Sequence, residues 1–327
     1  MIKFSIIIPV KVINDYVRET VPYIQSLDRN DWELIILPNE LGRNEWGDER
    51  IQIVSSGRVG PAAKRDMGAK LAQGEILVFL DDDSYPSPNL LSVASPYFES
   101  RDVVAIGGPA ITPSTDSFWQ KVSGAVFLSK LSGGCPERYL SIGESKEIDD
   151  WPSVNFMVRR EEFMQIGGFD SPYWPGEDTK LCHDLLQKTD KKILYVPHLI
   201  VWHHRRSGLR AHLKQIGAYG LHRGYFARVY PKNSCKLLYF VPTFFLVFAL
   251  VSLDYLITKP LNYEGGLLCV GWIAYVLGLI KAYKDIKKVE SSSIAFAAIP
   301  YIFLTHIWYG AKFAQGLFTP YLVSKLR

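Results

Sequence analysis

Short, mostly apolar runs alternate with amphipathic stretches through about the first 106 residues. Five runs have the length of strands, and the run at 76–80 is apolar on both faces, as in a fully buried strand. They cover residues 4–8, 32–37, 51–54, 76–80 and 103–106. Helical spacing and boundary residues predict helices from about residue 15, over 61–72 and over 89–98. Strands that alternate with helices in this way predict an α/β fold with a mostly parallel sheet covered on both faces.

The pattern becomes less regular from about residue 118 to residue 230. Short strands are predicted over residues 154–158, 193–196 and 199–202. Helices are predicted over 160–166, from 177 to 186, and over a long basic stretch at 207–229.

Three long apolar segments follow residue 231. Residues 237–257 include one charged residue, Asp254, while residues 266–280 are uncharged. Residues 294–311 have one histidine, His306, and no charged side chain. The first and third approach the length that spans a bilayer, and the second is shorter. We therefore predict a membrane region with two or three transmembrane helices at residues 231–327, after a domain at 1–230.

The distribution of charge supports a membrane partner. The net charge of the 327 residues is only +4, but residues 191–253 contain ten Lys or Arg and no Asp or Glu. Such a block favours phosphate or lipid headgroups. Nucleic acid is not expected, because the block leads straight into apolar helices.

The basic residues also predict an orientation. The basic block precedes the first apolar segment, and four lysines between 281 and 288 follow the second. Both are expected on the cytoplasmic side, with the loop around Lys259 outside. Three spans would put Lys312, Lys325 and Arg327 outside, against the charge rule, and a re-entrant third segment would remove this conflict.

Cysteine usage and the N-terminus fit a reduced compartment. The cysteines, Cys135, Cys182, Cys235 and Cys269, have neither metal nor redox spacing and are expected to be free thiols. The apolar run in the first ten residues is too short for a secretory signal and leads directly into the first strand. A cytoplasmic catalytic domain on a multi-pass membrane protein is the expected arrangement.

Three carboxylates, Asp81, Asp82 and Asp83, come directly after the predicted strand at 76–80. Open α/β sheets bind ligands at the carboxyl ends of their strands. In an extended chain Asp81 and Asp83 project to the same side, which suits one divalent cation. A solvated acidic turn is the plain alternative. A haloacid-dehalogenase-like phosphohydrolase also has an Asp after a strand, but its motif lies near the start of the domain.

Four motifs together resemble a known family. They are S-I-I-I-P-V at residues 5–10, the Asp81–Asp83 triplet, G-G-F-D at 167–170, and G-E-D at 176–178 followed by Leu181. In this order they resemble an inverting family 2 glycosyltransferase with the GT-A fold, over roughly residues 3–230. The resemblance implies transfer of a sugar from a nucleotide-diphosphate sugar, with bound Mg²⁺ or Mn²⁺.

The resemblance also implies a donor site. Asp83 would ligate the metal, and Asp81 would hold the ribose or complete the metal shell. Asn39 stands where the family usually has an Asp that reaches the base. The predicted donor-binding residues are Pro9, Val10, Asn39, Arg58, Lys64, Arg65, Asp81 and Asp82. An exposed helix face is the alternative for Lys64 and Arg65.

The G-E-D motif is expected to supply the catalytic base. An inverting transfer needs a carboxylate that takes the proton of the acceptor hydroxyl. By resemblance Asp178 is that base and Glu177 orients the acceptor, although a helix-start acidic pair is the structural alternative. The family often takes a further metal contact from a downstream His, and His203 fits that spacing better than His204. Surface histidines are the alternative.

Trp151 and Asn155 are predicted by resemblance to line the acceptor cleft, although Trp151 also suits a core. No Q-x-x-R-W run follows the predicted base, so transfer of a single sugar is favoured over processive synthesis. A lipid-linked or glycan acceptor is expected. Two alternatives remain: a polyprenyl-phosphate sugar transferase, and a non-catalytic, membrane-tethered nucleotide-sugar binder.

Overall fold

The computed structural model describes residues 3–258 and 263–322. The expected loop around Lys259, and Lys325 and Arg327 of the tail, lie outside the described residues. The strands are β1 (Phe4–Pro9), β2 (Trp32–Leu37), β3 (Ile51–Ile53), β4 (Ile76–Leu80), β5 (Ser84–Pro86), β6 (Val103–Gly107), β7 (Ala110–Ile111), β8 (Lys146–Ile148), β9 (Asn155–Arg159), β10 (Lys192–Tyr195) and β11 (Val201–His203). The helices are α1 (Asp15–Gln25), α2 (Pro61–Leu71), α3 (Leu90–Ala94), α4 (Phe118–Ala125), α5 (Arg160–Gln165), α6 (Glu177–Lys188), α7 (Leu209–Val229), α8 (Pro231–Ser234), α9 (Leu237–Thr258), α10 (Tyr263–Ile286) and α11 (Ser292–Phe318).

The main sheet has eight strands in the order β3-β2-β1-β4-β9-β6-β10-β8. The β1 strand pairs in parallel with β2 and β4, and β6 pairs in parallel with β10. This confirms the expected mostly parallel sheet. The exceptions are β9, which runs antiparallel between β4 and β6, and the antiparallel edge strand β8.

Both faces of this sheet are buried. Ile6 and Ile8 of β1 belong to one core with Val17 and Val21 of α1, whereas Ile7 belongs to the opposite core with Ala69 of α2. Successive side chains of a strand point to opposite faces, so a run that is apolar at every position is a strand covered on both sides.

The predicted elements need five additions and one shortening. The predictions did not include β5, β7, β8, α4 or α8. The three strands have only two or three residues each, and α8 has four. The helix predicted over 89–98 ends at Ala94 and continues as a 3₁₀ turn, Ser95–Glu99, that contains Pro96. Proline lacks the N–H that a helix interior requires, which accounts for the change.

A second, three-stranded sheet has the order β5-β11-β7. Its β5 strand begins at Ser84, directly after the Asp triplet, and its β11 strand ends at His203. The two are antiparallel, with His203 paired to Ser84. This short sheet brings residue 203 next to the acidic turn.

Three helices, Leu237–Thr258, Gly265–Ile286 and Ser292–Phe318, are long and apolar enough to cross a membrane. The second is longer than the uncharged run of residues 266–280, because the helix continues through Lys281 and Lys284. Its length therefore matches that of a bilayer span.

The contacts divide the chain into two compact units. One comprises the described residues up to Pro113 together with 140–204, and contains the eight-stranded sheet. The other comprises residues 114–139 together with the described part of 205–322, and contains α4 and α7 to α11. The predicted division into a 1–230 domain and a 231–327 membrane region stays a prediction.

Candidate active site

The β4 strand delivers the Asp triplet to the carboxyl-end edge of the sheet. Beyond Leu80 the chain turns at once, and Ser84 donates its backbone N–H to the carbonyl of Asp81 at 3.2 Å. The turn, rather than the extended chain expected from the sequence, brings Asp81 and Asp83 to the same side. Asp83 is buried, while Asp81 is partly exposed.

His203 completes a group of three possible metal ligands. One ligand atom each from Asp81, Asp83 and His203 lies within 4.8 Å of the others. The Nε2 atom of His203 is 3.1 Å from Oδ1 of Asp83. The β5–β11 pairing explains this position, because the backbone N–H of His204 donates to the carbonyl of Asp83 at 2.9 Å.

The donor set of this group fits a divalent cation. Two carboxylates at this separation repel each other unless a cation lies between them. Carboxylate oxygens suit Mg²⁺ and Mn²⁺, and an imidazole is an acceptable further ligand for Mn²⁺. These are the residues predicted to hold the metal.

His204 has different surroundings. Its Nε2 atom is 3.0 Å from a carboxylate oxygen of Glu19, and its ring stacks on Tyr16 with 4.7 Å between centroids. Consecutive residues of a strand point to opposite sides, so only one of the two histidines is directed toward the Asp triplet. The structure places His203 there, as predicted.

Arg65 of α2 joins the Asp triplet to the G-E-D motif. One guanidinium nitrogen donates to Oδ1 of Asp81 at 2.6 Å, and the other donates to Oε1 of Glu177 at 3.1 Å. Its side chain is 3% exposed. The exposed-helix-face alternative for Arg65 is therefore wrong.

Glu177 and Asp178 open helix α6 after Gly176, where a helix was predicted to begin. Burial, and next the charge of Asp178, raise the pKa of Glu177 to about 7, although Arg65 opposes the shift. Asp178 is more exposed than Glu177 and accepts the backbone N–H of Thr179 at 2.8 Å. A helix N-terminus favours a negatively charged side chain, which is the form that a base requires.

The side chain of Lys64 bridges the carboxyl ends of strands β1 and β2. Its ammonium donates to the carbonyl oxygens of Val10 and Leu37 and to Oδ1 of Asn39, at 2.5, 3.1 and 2.7 Å. An ammonium has three N–H donors, and these three acceptors use them all. The exposed-face alternative is wrong for Lys64 as well. Any contribution of Lys64 to donor binding is through the position of Val10 and Asn39.

The remaining predicted donor residues differ in exposure. Pro9 and Val10 are buried at the end of β1, and Arg58 is exposed just before α2. Asp82 accepts the side-chain amide of Asn14 at 2.8 Å. Pro9, Val10 and Asp82 lie on the adjacent strands β1 and β4 or directly beyond them.

The predicted acceptor residues lie inside the protein. Trp151 is 2% exposed and donates its indole N–H to the carbonyl of Gly108 at 2.9 Å. Asn155 is 1% exposed and donates to the carbonyl oxygens of Pro109 and Leu199. Their burial leaves no ring face or amide for a sugar, so their placement does not support the prediction that they line the acceptor cleft.

Two further carboxylates, the partly buried Asp66 and the buried Asp150, hold the site together, although no sequence motif marks them. Asp66 accepts the backbone N–H groups of Phe169 and Asp170, at 2.8 and 3.2 Å. Asp150 accepts the hydroxyl of Thr179 at 3.0 Å. The only available signal for Asp66 was its place beside Arg65, since its partners are more than one hundred residues away.

Comparisons with known proteins agree with this arrangement. Residues 5–167 match the model of the family described as glycosyl transferase family 2. A mannosyltransferase from Pyrobaculum calidifontis, solved in complex with GDP-Man and Mn²⁺, has a similar fold. The TM-score is 0.58 at 15% identity, and the match covers 94% of this chain and 87% of the other.

Two curated relatives match part of the chain. A glucosyl-dolichyl phosphate glucuronosyltransferase from Haloferax volcanii is 23% identical over 216 residues, which are 62% of this chain and 66% of the relative. A pre-mycofactocin glycosyltransferase from Mycobacterium tuberculosis is 27% identical over 161 residues, which are 49% of this chain and 33% of the relative. The matched regions thus span from a third to just under two thirds of these relatives.

The family match excludes the phosphohydrolase and non-catalytic alternatives. The mostly parallel sheet, the acidic turn after β4 and the family match lead to one conclusion. The chain belongs to the family 2 glycosyltransferases and is an enzyme with a GT-A catalytic fold followed by long apolar helices.

Proposed function

We propose that the enzyme transfers one sugar, with inversion, from a nucleotide-diphosphate sugar to a lipid-linked acceptor at the membrane. The observation that carries the proposal is the Arg65 bridge. A single buried guanidinium holds Asp81 of the candidate metal group and Glu177 of the acidic pair. A donor bound at the candidate metal group and an acceptor bound at the acidic pair would therefore lie next to each other.

Asp81, Asp83 and His203 would hold the divalent metal, and the donor's diphosphate would bind beside them. When bound, Mg²⁺ or Mn²⁺ neutralises the charge that develops on the departing diphosphate. The ends of β1 and β2, fastened by Lys64, would hold the nucleoside, with Asn39 nearest the base. Arg65 keeps Asp81 oriented, and Arg58 is the exposed cation of this region.

Asp178 would act as the base. Its carboxylate takes the proton of the acceptor hydroxyl while that oxygen attacks the anomeric carbon. The bond between this carbon and the diphosphate oxygen breaks on the opposite face, and the nucleoside diphosphate leaves with the bonding electrons. Glu177, held by Arg65, orients Asp178 and the acceptor. The product is a glycosidic bond of inverted configuration.

Two observations support a lipid-linked acceptor. The basic block around residues 205–236 leads into the apolar helix α9, and such blocks attract anionic headgroups. The Haloferax volcanii relative is named for a dolichyl-phosphate-linked sugar. Both fit a catalytic domain on the cytoplasmic side, and the lack of a Q-x-x-R-W run fits a single transfer.

Asp178→Asn tests the chemical role. We expect donor binding, measured by titration with a nucleotide sugar and Mn²⁺, to be unchanged. Turnover is expected to fall by roughly 10²- to 10⁴-fold, which is the contribution of general base catalysis. Asp190→Asn is the matched control, because Asp190 is exposed with a φ of +50° that Asn also tolerates. Equal turnover in the Asp178→Asn variant and the parent would refute the assignment.

Product analysis tests the acceptor. A panel of nucleotide sugars is screened first, to identify the donor that the full chain hydrolyses in a metal-dependent reaction. That donor is then incubated with a polyprenyl phosphate and, separately, with a glycosylated polyprenyl phosphate. We expect a new glycosidic bond on the glycosylated lipid. A sugar-phosphate linkage on the bare lipid would instead establish the polyprenyl-phosphate sugar transferase.

A further inference from the structure

The third apolar helix, α11, is packed differently from the two before it. In its most apolar 18-residue window 39% is buried, against 11% for each of α9 and α10. Val247 of α9 and Leu277 of α10 are more than half exposed, as lipid-facing side chains are. In contrast, Ile302 and Phe313 of α11 are completely buried. Protein, rather than lipid, covers much of α11.

Helix α7 covers the second half of α11 and runs in the same direction. Near the start of the contact, Nε2 of His212 is 2.8 Å from the hydroxyl of Thr305. Further along, a Cβ atom added at Gly224 would lie only 2.0 Å from the carbonyl oxygen of Phe313. A Cβ at Gly316 would lie 2.1 Å from a carbonyl oxygen of α7. The two backbones are therefore in direct contact along residues 305–316 of α11.

Helix α7 does not have the composition of a membrane span. Its 21 residues include four cations, Arg210, Lys214, Arg223 and Arg228. Charged side chains are costly in the hydrocarbon region, and a helix with four of them stays outside it. Because α11 is packed backbone to backbone against α7, its second half must stay outside as well. Lys312, within that half, fits this position.

The contacts with α9 show the same arrangement. Phe303 and Phe313 of α11 pack against Phe245 and Phe240 of α9, with ring centroids 6.1 and 4.8 Å apart. The hydroxyl of Thr243 in α9 also donates to the carbonyl of Gly310 in α11 at 3.0 Å. These partners all lie within the first nine residues of α9, so α11 packs against the start of α9.

The first half of α11 is covered by the segment at 114–139. Trp119 of α4 stacks on Tyr301, with 6.2 Å between ring centroids. Nδ1 of His212 also meets the hydroxyl of Ser123 in α4 at 2.8 Å, so His212 links α4 to α11. Both halves of α11 are therefore packed against helices that carry polar side chains.

We propose that α7 and α11 lie along the lipid headgroup layer on the side where α9 begins, and that of the described helices α9 and α10 alone cross the bilayer. The cations of α7 then meet headgroup phosphates, and Trp308 and Tyr219, both about 40% exposed, lie at the depth that aromatic residues prefer. In this arrangement residue 322 lies on the same side of the membrane as the basic block. Lys312 is then on the same side as Lys281, so the conflict with the charge rule that three spans would create does not arise.

Thiol labelling in sealed vesicles tests this topology. The full chain with all four cysteines replaced by serine must first retain glycosyl transfer, which shows that it folds. Single thiols are then introduced by Ser292→Cys, Gln315→Cys and Thr258→Cys, or kept at Cys235, all exposed positions. With a membrane-impermeant maleimide we expect positions 235, 292 and 315 to react from one side and position 258 from the other.

Two outcomes would overturn the proposal. One is reaction of the Gln315→Cys variant from the same side as the Thr258→Cys variant. The other is protection of Gln315→Cys from both sides until detergent dissolves the bilayer.

Spin-label depth provides a second, independent measurement. Labels at Phe296, Trp308 and Gln315, all exposed on α11, are compared with labels at Val241 and Val247 on α9. We expect the ratio of oxygen to nickel accessibility to stay nearly constant along α11 and to rise severalfold from residue 241 to 247. A ratio that rises to a maximum in mid-helix on α11 and falls again would mean that α11 spans, contrary to the proposal.

Discussion

At the scale of single residues, Arg65 has the largest effect on the site. It lies 112 residues from Glu177 in the chain, yet donates to that carboxylate and to Asp81 at once. A cation with a planar fork of donors can serve two carboxylates, which a lysine ammonium does less well. From the sequence, Arg65 was equally consistent with an exposed helix face, because burial depends on what packs over α2.

Arg65→Met tests the bridge. The change leaves a buried Glu177 and its neighbour Asp81 without their shared cation. Removing one partner of a buried pair costs about 3–5 kcal/mol, so we expect the free energy of unfolding of the full chain in detergent to fall by about that amount. Glycosyl transfer should fall as well.

Lys70→Met is the control for that experiment. Lys70 lies on the same helix but is exposed, so we expect a change within about 0.5 kcal/mol. Equal stability of the Arg65→Met and Lys70→Met variants would mean that the bridge has no structural role.

At the scale of elements, helix α2 organises the site through three consecutive residues. Lys64 fastens the ends of β1 and β2, Arg65 joins Asp81 to α6, and Asp66 holds the turn at Phe169. Successive residues of a helix point about 100° apart, so one helix reaches three segments. The helix itself was predicted to within a residue at its end, but its partners were not, because they come from distant parts of the chain.

Substitutions at the two glycines before Phe169 distinguish the effect of backbone strain from the effect of steric crowding. Both have left-handed φ angles, +94° at Gly167 and +76° at Gly168, but only at Gly168 would an added Cβ meet Asp66, 2.5 Å from Oδ1. We therefore expect Gly168→Ala to destabilise by about 2 kcal/mol more than Gly167→Ala, since overpacking typically costs 1–3 kcal/mol.

Thermal unfolding of both variants checks this expectation. Turnover should also fall further in Gly168→Ala, because Lys180, two residues after Asp178 on α6, donates to the carbonyl of Phe169 at 3.2 Å. If Gly167→Ala and Gly168→Ala lower the unfolding temperature and the turnover equally, the contact between Asp66 and the turn contributes to neither stability nor activity.

At the scale of the whole molecule, the apolar helices do more than the sequence indicated. The hydrophobic content of 48% pointed to a membrane anchor after residue 231. In the second compact unit, however, α11 also covers α7 and α4, which precede residue 231 in the chain. A cut at the predicted domain boundary would therefore uncover a buried surface.

Shortening the chain to residues 1–230 tests this consequence. The shortened chain keeps α7 but loses α11, so His212, which is fully buried, and the backbone at Gly224 become exposed. We expect it to aggregate without detergent, as measured by size-exclusion chromatography.

A chain shortened after Tyr321 is the control for the cut at 230. It keeps α11, so we expect it to remain monodisperse in detergent. A soluble, monodisperse 1–230 fragment with native-like circular dichroism would show that α11 is not needed to cover α7.

The amino-acid sequence by itself determined what local periodicity controls. It predicted the five strands between residues 4 and 106, the start of α6 at Glu177, the Asp triplet directly after β4 and the three long apolar segments, because each depends on residues close together in the chain. Its motifs also led to the family, which the comparisons confirm.

Only the tertiary structure decided which distant residues meet. The strand β9 is antiparallel between β4 and β6, His203 rather than His204 lies beside Asp83, and Trp151 and Asn155 are buried. The physical reason is that pairing and burial depend on contacts between segments far apart in sequence, and one strand pair or one helix crossing selects among side chains that look alike in the sequence.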